Sequence, residues 1–290
     1  MTQSLDLRAR SEALGGALPA LLAQAEHLAA TVVLGEHGRR RAGMGDEFWQ
    51  YRLATAGDPA GQVDWRRSAK SEGQFVRERE WQAAQTVSLW VDASRSMQFS
   101  GDAARPPKAD RAQLLALALA VLLLRGGERV GLTGDGARPR GGRGQIMHLL
   151  AGMTGGDGAD YGAPDVANLS GHSRAVFFSD FLGDPEEVET ALAIASDRGV
   201  RGALVQVLDP VEESFPFDGR TIFESMGGSL RHETLRAGDL RARYLDRLAD
   251  RKGRIEGLAR ASGWHYLCHH SGQPAQSALL WLYAALERGR

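Results

Sequence analysis

From residue 85 onward, short apolar runs alternate with helical stretches, and no other feature of the sequence constrains the fold as strongly. QTVSLWVD reads as a strand ending at Asp92. ERVGLTG (128–134), SRAVFFSDF (173–181), GALVQVLD (202–209) and WHYLCHH follow as further strands. Helical stretches fall between them at 109–125, RGQIMHLLAGM, DPEEVETALAIASDRG and LRARYLDRLADRKGRIEGLAR, and SALLWLYAALER closes the series. Asp184 followed by Pro185 and two acids, with Gly199 at the far end, carries the start and stop signals of a helix. Strands this apolar must be covered on both faces. The pattern therefore predicts a doubly wound, mostly parallel α/β sheet over about 84–290, with an irregular insertion at about 210–238. In such sheets ligands bind outside the carboxyl ends of the strands, where the strand order reverses.

The preceding residues differ in texture. Residues 1–34 read as a helical lead-in, and 35–83 as a small β-rich segment heavy in glycine and arginine. Arg39, Arg40 and Arg41 run together, but residues 36–81 hold nine cations and eight anions. A balanced segment reads as solvated or internally paired surface, since a nucleic-acid footprint needs clustered net positive charge. Arg52 has Glu47, Asp58 and Asp64 as available acidic partners, one of which is expected to fix the segment's fold. Trp49, Trp65 and Trp81 interleave with arginines. They could stack on these cations, but an anchoring role against the sheet domain is the expectation.

With 43% apolar and 24% charged residues and a formal charge of -1, the chain reads as an ordinary globular protein, not as a disordered, coiled-coil or membrane-embedded one. The greasiest run, 114–124, is bracketed by Arg111 and Arg125 and falls short of the roughly 20 apolar residues a bilayer needs, so a buried helix is expected. Cys268 is the single cysteine, and the first residues lack an apolar signal core. Both point to a reducing, cytoplasmic setting with no membrane role.

The chemistry concentrates in the loop after the first sheet strand. Asp92, Ser94 and Ser96 form the pattern D-x-S-x-S, so a carboxylate and two hydroxyls leave one loop in alternation. Oxygen-only donors suit a hard cation such as magnesium. A second strand ends in Ser179-Asp180. If the two strands are neighbours, Asp180 faces the same crevice, where paired carboxylates repel unless a cation or proton lies between them. The competing structural role is capping of the following turn. His265, Cys268, His269 and His270 resemble a metal cluster on paper. In a strand, however, His265 and His269 share one face while Cys268 and His270 share the other, so packing roles are expected.

VSLWVDASRSM followed by FFSDF resembles a von Willebrand factor type A domain, with Asp92, Ser94, Ser96 and Asp180 at its metal-ion-dependent adhesion site. The stretch from Gly35 to Lys70 resembles the signature of the bacterial family called domain of unknown function 58, on Gly43, Gly45, Glu47, Phe48, Arg52, Gly57, Asp58, Asp64 and Trp65. Asp209-Pro210, with Glu212 and Glu213 nearby, is similar to that family's D-P-x-E region. The resemblance implies a non-enzymatic adaptor or co-chaperone that binds magnesium or manganese. Its implied partners are a MoxR-type AAA+ ATPase and a client protein. In A domains a threonine from another loop joins the metal shell. Ala159 falls at that position here, with Thr154 too early, so Asp160 or Asp157 would substitute or the site is weakened.

Two alternatives belong to other classes. A magnesium-dependent phosphatase would use Asp92 as nucleophile, but the haloacid-dehalogenase pattern needs a second aspartate where Ser94 stands. No G-x-S-x-G or G-x-x-x-x-G-K-[ST] motif is present. A nucleic-acid module would use the helix at 236–260, with eight cations against four anions. A solvated face or a partner-docking face is the preferred reading of that helix, and no nucleic-acid partner is expected.

Overall fold

The computed structural model describes residues 20–32, 39–43, 47–70, 73–153, 158–228 and 230–288. Two compact units divide the chain: Met1–Gly35 with Thr86–Arg290, and Glu36–Gln85. A first helix, α1, covers residues 20–30 of the larger unit.

The smaller unit is a three-stranded antiparallel sheet of β1 (Arg39–Gly43), β2 (Glu47–Leu53) and β3 (Phe75–Ala83), in the order β1-β3-β2. A one-turn helix, α2 (Trp65–Ser68), precedes β3. Asp64 caps α2 by accepting from the Arg67 amide at 3.0 Å, and it also accepts from the Tyr51 hydroxyl at 3.1 Å. Arg52 forks onto Asp58 through two bonds of 2.6 Å. Asp58 also accepts from the Thr55 amide and hydroxyl, at 2.7 and 3.0 Å. These donors, Arg52 foremost, hold the Asp58 carboxyl well below the usual carboxylate range. Of the candidate acids, Asp58 takes Arg52 in a two-bond fork, and the side chain of Glu47 lies outside the described residues. Arginine stacking in this unit involves Arg67 over Tyr51 at 4.4 Å, while Trp65 is 59% exposed. Gly43 lies in β1, and Glu47 and Phe48 lie in β2. Gly57 sits in the turn before Asp58, where an added Cβ would meet nothing within 4 Å. Gly45 lies outside the described residues, as do the side chains of Trp49 and Trp81.

The larger unit is built on a five-stranded sheet. Its strands are β4 (Thr86–Val91), β5 (Arg129–Leu132), β6 (Arg174–Ser179), β7 (Arg201–Leu208) and β10 (His265–His270), in the order β10-β7-β6-β4-β5. Every pairing is parallel. The helices are α3 (Lys108–Arg125), α4 (Gly144–Gly152), α5 (Pro185–Asp197), α7 (Arg241–Ala261) and α8 (Ala275–Arg288). One core cluster joins α1, α3, α4 and α8 to one sheet face, and a second joins α5 and α7 to the other. The expected two-face cover is present because the strands offer apolar side chains in both directions: Val176 and Phe178 to the first cluster, Ala175 and Phe177 to the second.

The run 114–124 lies in α3, whose residues Leu115 to Leu123 are all buried between the sheet and neighbouring helices. Among the described residues no helix is long and apolar enough to cross a membrane. Asp184 caps α5 by accepting from the Glu186 amide at 2.9 Å, with Pro185 in the first turn. The span 210–238, expected as irregular, instead holds a short helix, α6 (Pro210–Ser214), and a hairpin of β8 (Thr221–Glu224) and β9 (Arg231–Thr234).

Because the Arg52 fork adds two short bonds to those from Thr55 that hold the Asp58 turn, Arg52→Ala should lower the melting temperature of the full chain. Arg52→Lys, which cannot form two parallel bonds, should recover only part of the loss. Calorimetric melting of both variants checks this, and an unchanged Arg52→Ala transition would remove the fork from the account.

Candidate functional site

The strand order sets the place of the site. After β4 the chain crosses to β5 on one side, then returns to β6 on the other, so the order reverses between β4 and β6. These two strands are hydrogen-bonded neighbours in parallel register, with Val91 opposite Phe178. Asp92 and Asp180 therefore emerge side by side at the carboxyl ends, where α/β sheets bind ligands.

Asp92 is 2% exposed. Its Oδ1 accepts from the Ser94 amide at 2.8 Å and its Oδ2 from the Ser179 hydroxyl at 2.6 Å. The hydroxyls of Ser94 and Ser96 lie 3.2 Å apart and are buried with it. Burial pushes the Asp92 carboxyl up, against these hydrogen bonds, and the nearby charge of Asp180 adds to the rise. Among the described residues Asp92 has no cationic side chain within ion-pair distance.

Asp180 is placed differently. Its Oδ2 accepts from Lys108 Nζ at 2.8 Å, and its Oδ1 accepts from the Leu182 amide at 3.0 Å. Lys108 is 1% exposed and donates a second bond, of 2.7 Å, to Glu212 Oε1. One buried ammonium thus holds two carboxylates. Burial pulls the Lys108 ammonium down, but Asp180 and Glu212 outweigh it and the net shift is upward, so Lys108 stays charged. Its contribution to stability is complete below pH 10.5 and fades only as the pH rises through the higher folded value. The sequence pattern marks Ser179 and Glu212 only as neighbours of Asp180 and Asp209, and it assigns no role to Lys108. A signal for Lys108 existed: it is one of only three lysines among 35 cations, and it opens a helix at the end that favours acids.

Asp209 and Pro210 begin α6. Asp209 caps it by accepting from the Val211 amide at 2.8 Å, and Glu212 reaches back to the Asp209 amide at 2.8 Å. The D-P-x-E region is thus a capping box that also delivers Glu212 to Lys108. Asp209 is fully buried and paired with Arg105 at 3.1 Å.

The loop carrying Asp160 closes over the D-x-S-x-S loop. The Arg95 amide donates to Ala159 O and the Ser96 amide to Asp160 O, both at 2.9 Å. At Gly162 an added Cβ would stand 2.3 Å from Asp92 Oδ1, so only glycine allows this approach. The Asp160 carboxylate meets Ser225 Oγ at 3.4 Å and lies 4.0 Å from Arg95. Asp157 and Thr154 lie outside the described residues. Among the described residues no group of three His, Cys, Asp or Glu side chains is placed to hold a metal ion. The hydroxyls of Ser94, Ser96 and Ser179 gather at Asp92; Ser179 already donates to its carboxylate, which leaves Asp92, Ser94 and Ser96 as the candidate metal donors. One carboxylate with two hydroxyls fits a hard cation that keeps most of its waters.

The histidine strand divides as its alternation implies. His269 accepts from Arg111 at 3.2 Å on one face, and burial with that neighbouring charge pulls it down to about 4. On the other face His270 and Lys252 pair with Glu213, and the Cys268 thiol donates to Glu213 at 3.8 Å. In α7, Arg254 pairs with Glu189, Arg260 with Glu256, and Arg241 donates to the Phe215 carbonyl, so much of its positive charge is matched internally.

A parallel α/β domain with an oxygen-lined crevice at its switch point is the class of protein this fold defines. Within that class, the chain belongs to the family described as protein of unknown function DUF58, whose model matches residues 50–254. No curated protein matches it. Among solved structures it is similar to the conserved hypothetical protein BatB from Bacteroides thetaiotaomicron. That match has 14% identity and TM-score 0.43, covering 71% of this chain and all of that one. It is also similar to an aerotolerance-related membrane protein from Bacteroides fragilis, at 13% identity and TM-score 0.41, over 70% of this chain and 98% of that one.

Removing the ammonium would leave Asp180 and Glu212 buried without a counter-charge. Lys108→Met should therefore lower unfolding stability in urea by about 3–5 kcal/mol. An effect under about 1 kcal/mol would show that the carboxylates are neutral without it.

Proposed function

We propose that the Thr86–Arg290 unit is a von Willebrand factor A-like, non-enzymatic binding module, with magnesium or manganese held by Asp92, Ser94 and Ser96. The observation that carries this reading is the contrast between the two strand-end aspartates. Asp180 has its cation in Lys108, whereas Asp92 is buried beside two converging hydroxyls with no cationic partner among the described residues. A divalent cation would supply the missing positive charge. Held by neutral hydroxyls and a single carboxylate, it keeps attraction for an external anion. The ligand is then a carboxylate of a partner protein, and Asp180 serves to seat Lys108 beside the site. Asp160 stands beside the D-x-S-x-S loop, bound to it through its carbonyl, and the metal site works without the usual threonine.

By the family resemblance, the partners are a MoxR-type AAA+ ATPase and a client protein, with this chain as adaptor or co-chaperone in the cytoplasm. No turnover is part of this role.

Titration calorimetry of magnesium, then manganese, into metal-stripped protein should give one site in the wild type and none in Asp92→Ala. Affinity should fall as the pH drops toward the raised value of Asp92, which lies above 3.8, because a proton competes with the metal for the carboxylate. Equal heats from wild type and Asp92→Ala, or none from either, would refute the metal reading.

A further inference from the structure

A cavity of about 210 Å³ opens beside the D-x-S-x-S loop, with Ser96 and Asp160 in its wall. Small-molecule pockets run about 300–1,000 Å³, so this one has room for a single side chain. Its apolar wall is a cluster of rings: Phe215 stacks on Phe223 at 5.5 Å and meets Tyr244 at 4.7 Å, and Phe217 stands edge-on to Phe223 at 5.3 Å. Phe215 is held in the left-handed region at φ 42, which turns the chain at the end of α6 and seats its ring in this cluster.

The polar lining is acidic. Asp160, Asp180, Glu212 and Glu224 all contribute. Against them stand the Lys108 ammonium, already committed to Asp180 and Glu212, and Arg95, 4.0 Å from Asp160. Glu224 has no ion-pair partner among the described residues. Burial first, then the charges of Glu212 and Asp180, pushes the Tyr244 phenol up to about 12, consistent with negative potential in the cavity. Aromatic walls beneath carboxylates complement a side chain with an apolar stem and a cationic head.

The hairpin that forms one wall also carries exposed apolar side chains: Ile222 (46%), Met226 (48%) and Leu230 (67%). Of these, Met226 lines the cavity, so its wall is apolar as well as acidic at the hairpin side.

We propose that this cavity receives one arginine or lysine side chain of the partner protein, next to the carboxylate that the metal at Asp92 would bind. The pairing with that carboxylate rests on the metal reading, but the cavity's preference for a basic side chain does not. The partner thus presents an acidic and a basic residue together, and the two subsites accept opposite charges.

The test uses the full chain and N-acetyl-arginine N-methylamide, a probe with no carboxylate, titrated with EDTA and again with magnesium. The Met226 methyl and the ring resonances of Phe223 and Tyr244 report binding. Expected is weak, millimolar binding in both conditions, at least about threefold tighter than the neutral norleucine analogue. Glu224→Gln, at an exposed position, should weaken the probe by a similar factor and leave the melting temperature unchanged. Equal binding of the norleucine analogue, no effect of Glu224→Gln, or no shifts at tens of millimolar would overturn the proposal. Micromolar binding of the free probe would also overturn it, since the cavity would then suit a small cationic ligand. Magnesium binding with no probe binding sinks the cavity alone, and probe binding in EDTA without magnesium binding sinks the metal reading alone.

Discussion

One buried ammonium governs the carboxyl end of the sheet. Parallel strands bring Asp92, Asp180 and Asp209 together out of water, and burying several carboxylates is costly unless each finds a counter-charge or donors. Arg105 answers Asp209. Lys108 answers Asp180, and by also binding Glu212 it ties the start of α3 to β6 and to α6. Among the described residues Asp92 has amide and hydroxyl donors and no cation. The division of labour among three acids at one sheet edge thus follows from where two basic side chains are placed.

The same arrangement locates the working surface. Gly162 lets the Asp160 loop press on Asp92, and the Ser96 amide is bound to that loop. At Gly227 an added Cβ would stand 1.5 Å from Asp160 Oδ1, so the β8–β9 hairpin closes on the loop from the far side. The D-x-S-x-S loop, the Asp160 loop and the hairpin meet around one cavity. A metal subsite and a basic-side-chain subsite on this surface would read two residues of one partner, which is how specificity arises from a small contact.

Much of this was legible in the sequence. The strands of the parallel sheet are apolar in both directions, so each stands out from its polar flanks, and Asp184-Pro185 marks its helix start unambiguously. D-x-S-x-S and Ser179-Asp180 were expected to share a crevice if their strands were neighbours, and β4 and β6 are hydrogen-bonded neighbours. The hairpin was not legible. TIFE and RHET are four residues each, half or more exposed, and all four residues of RHET are polar or charged, with no apolar alternation. Lys108 was overlooked because an ammonium at the head of a greasy helix reads as a solvent-facing end, and its two partners lie 72 and 104 residues away. Glu212 was visible as part of D-P-x-E, but a short-range capping motif does not disclose a long-range partner.

The proposed divalent cation would bind at Asp92 and not at Asp180, whose carboxylate already has Lys108. Anomalous diffraction from a manganese-soaked crystal tests it most directly. A peak within about 2.2 Å of Asp92, Ser94 and Ser96 oxygens, with Lys108 still bonded to Asp180 and Glu212, is the expected result. A peak between Asp180 and Glu212 with Lys108 displaced, or no peak in the crevice, would contradict it.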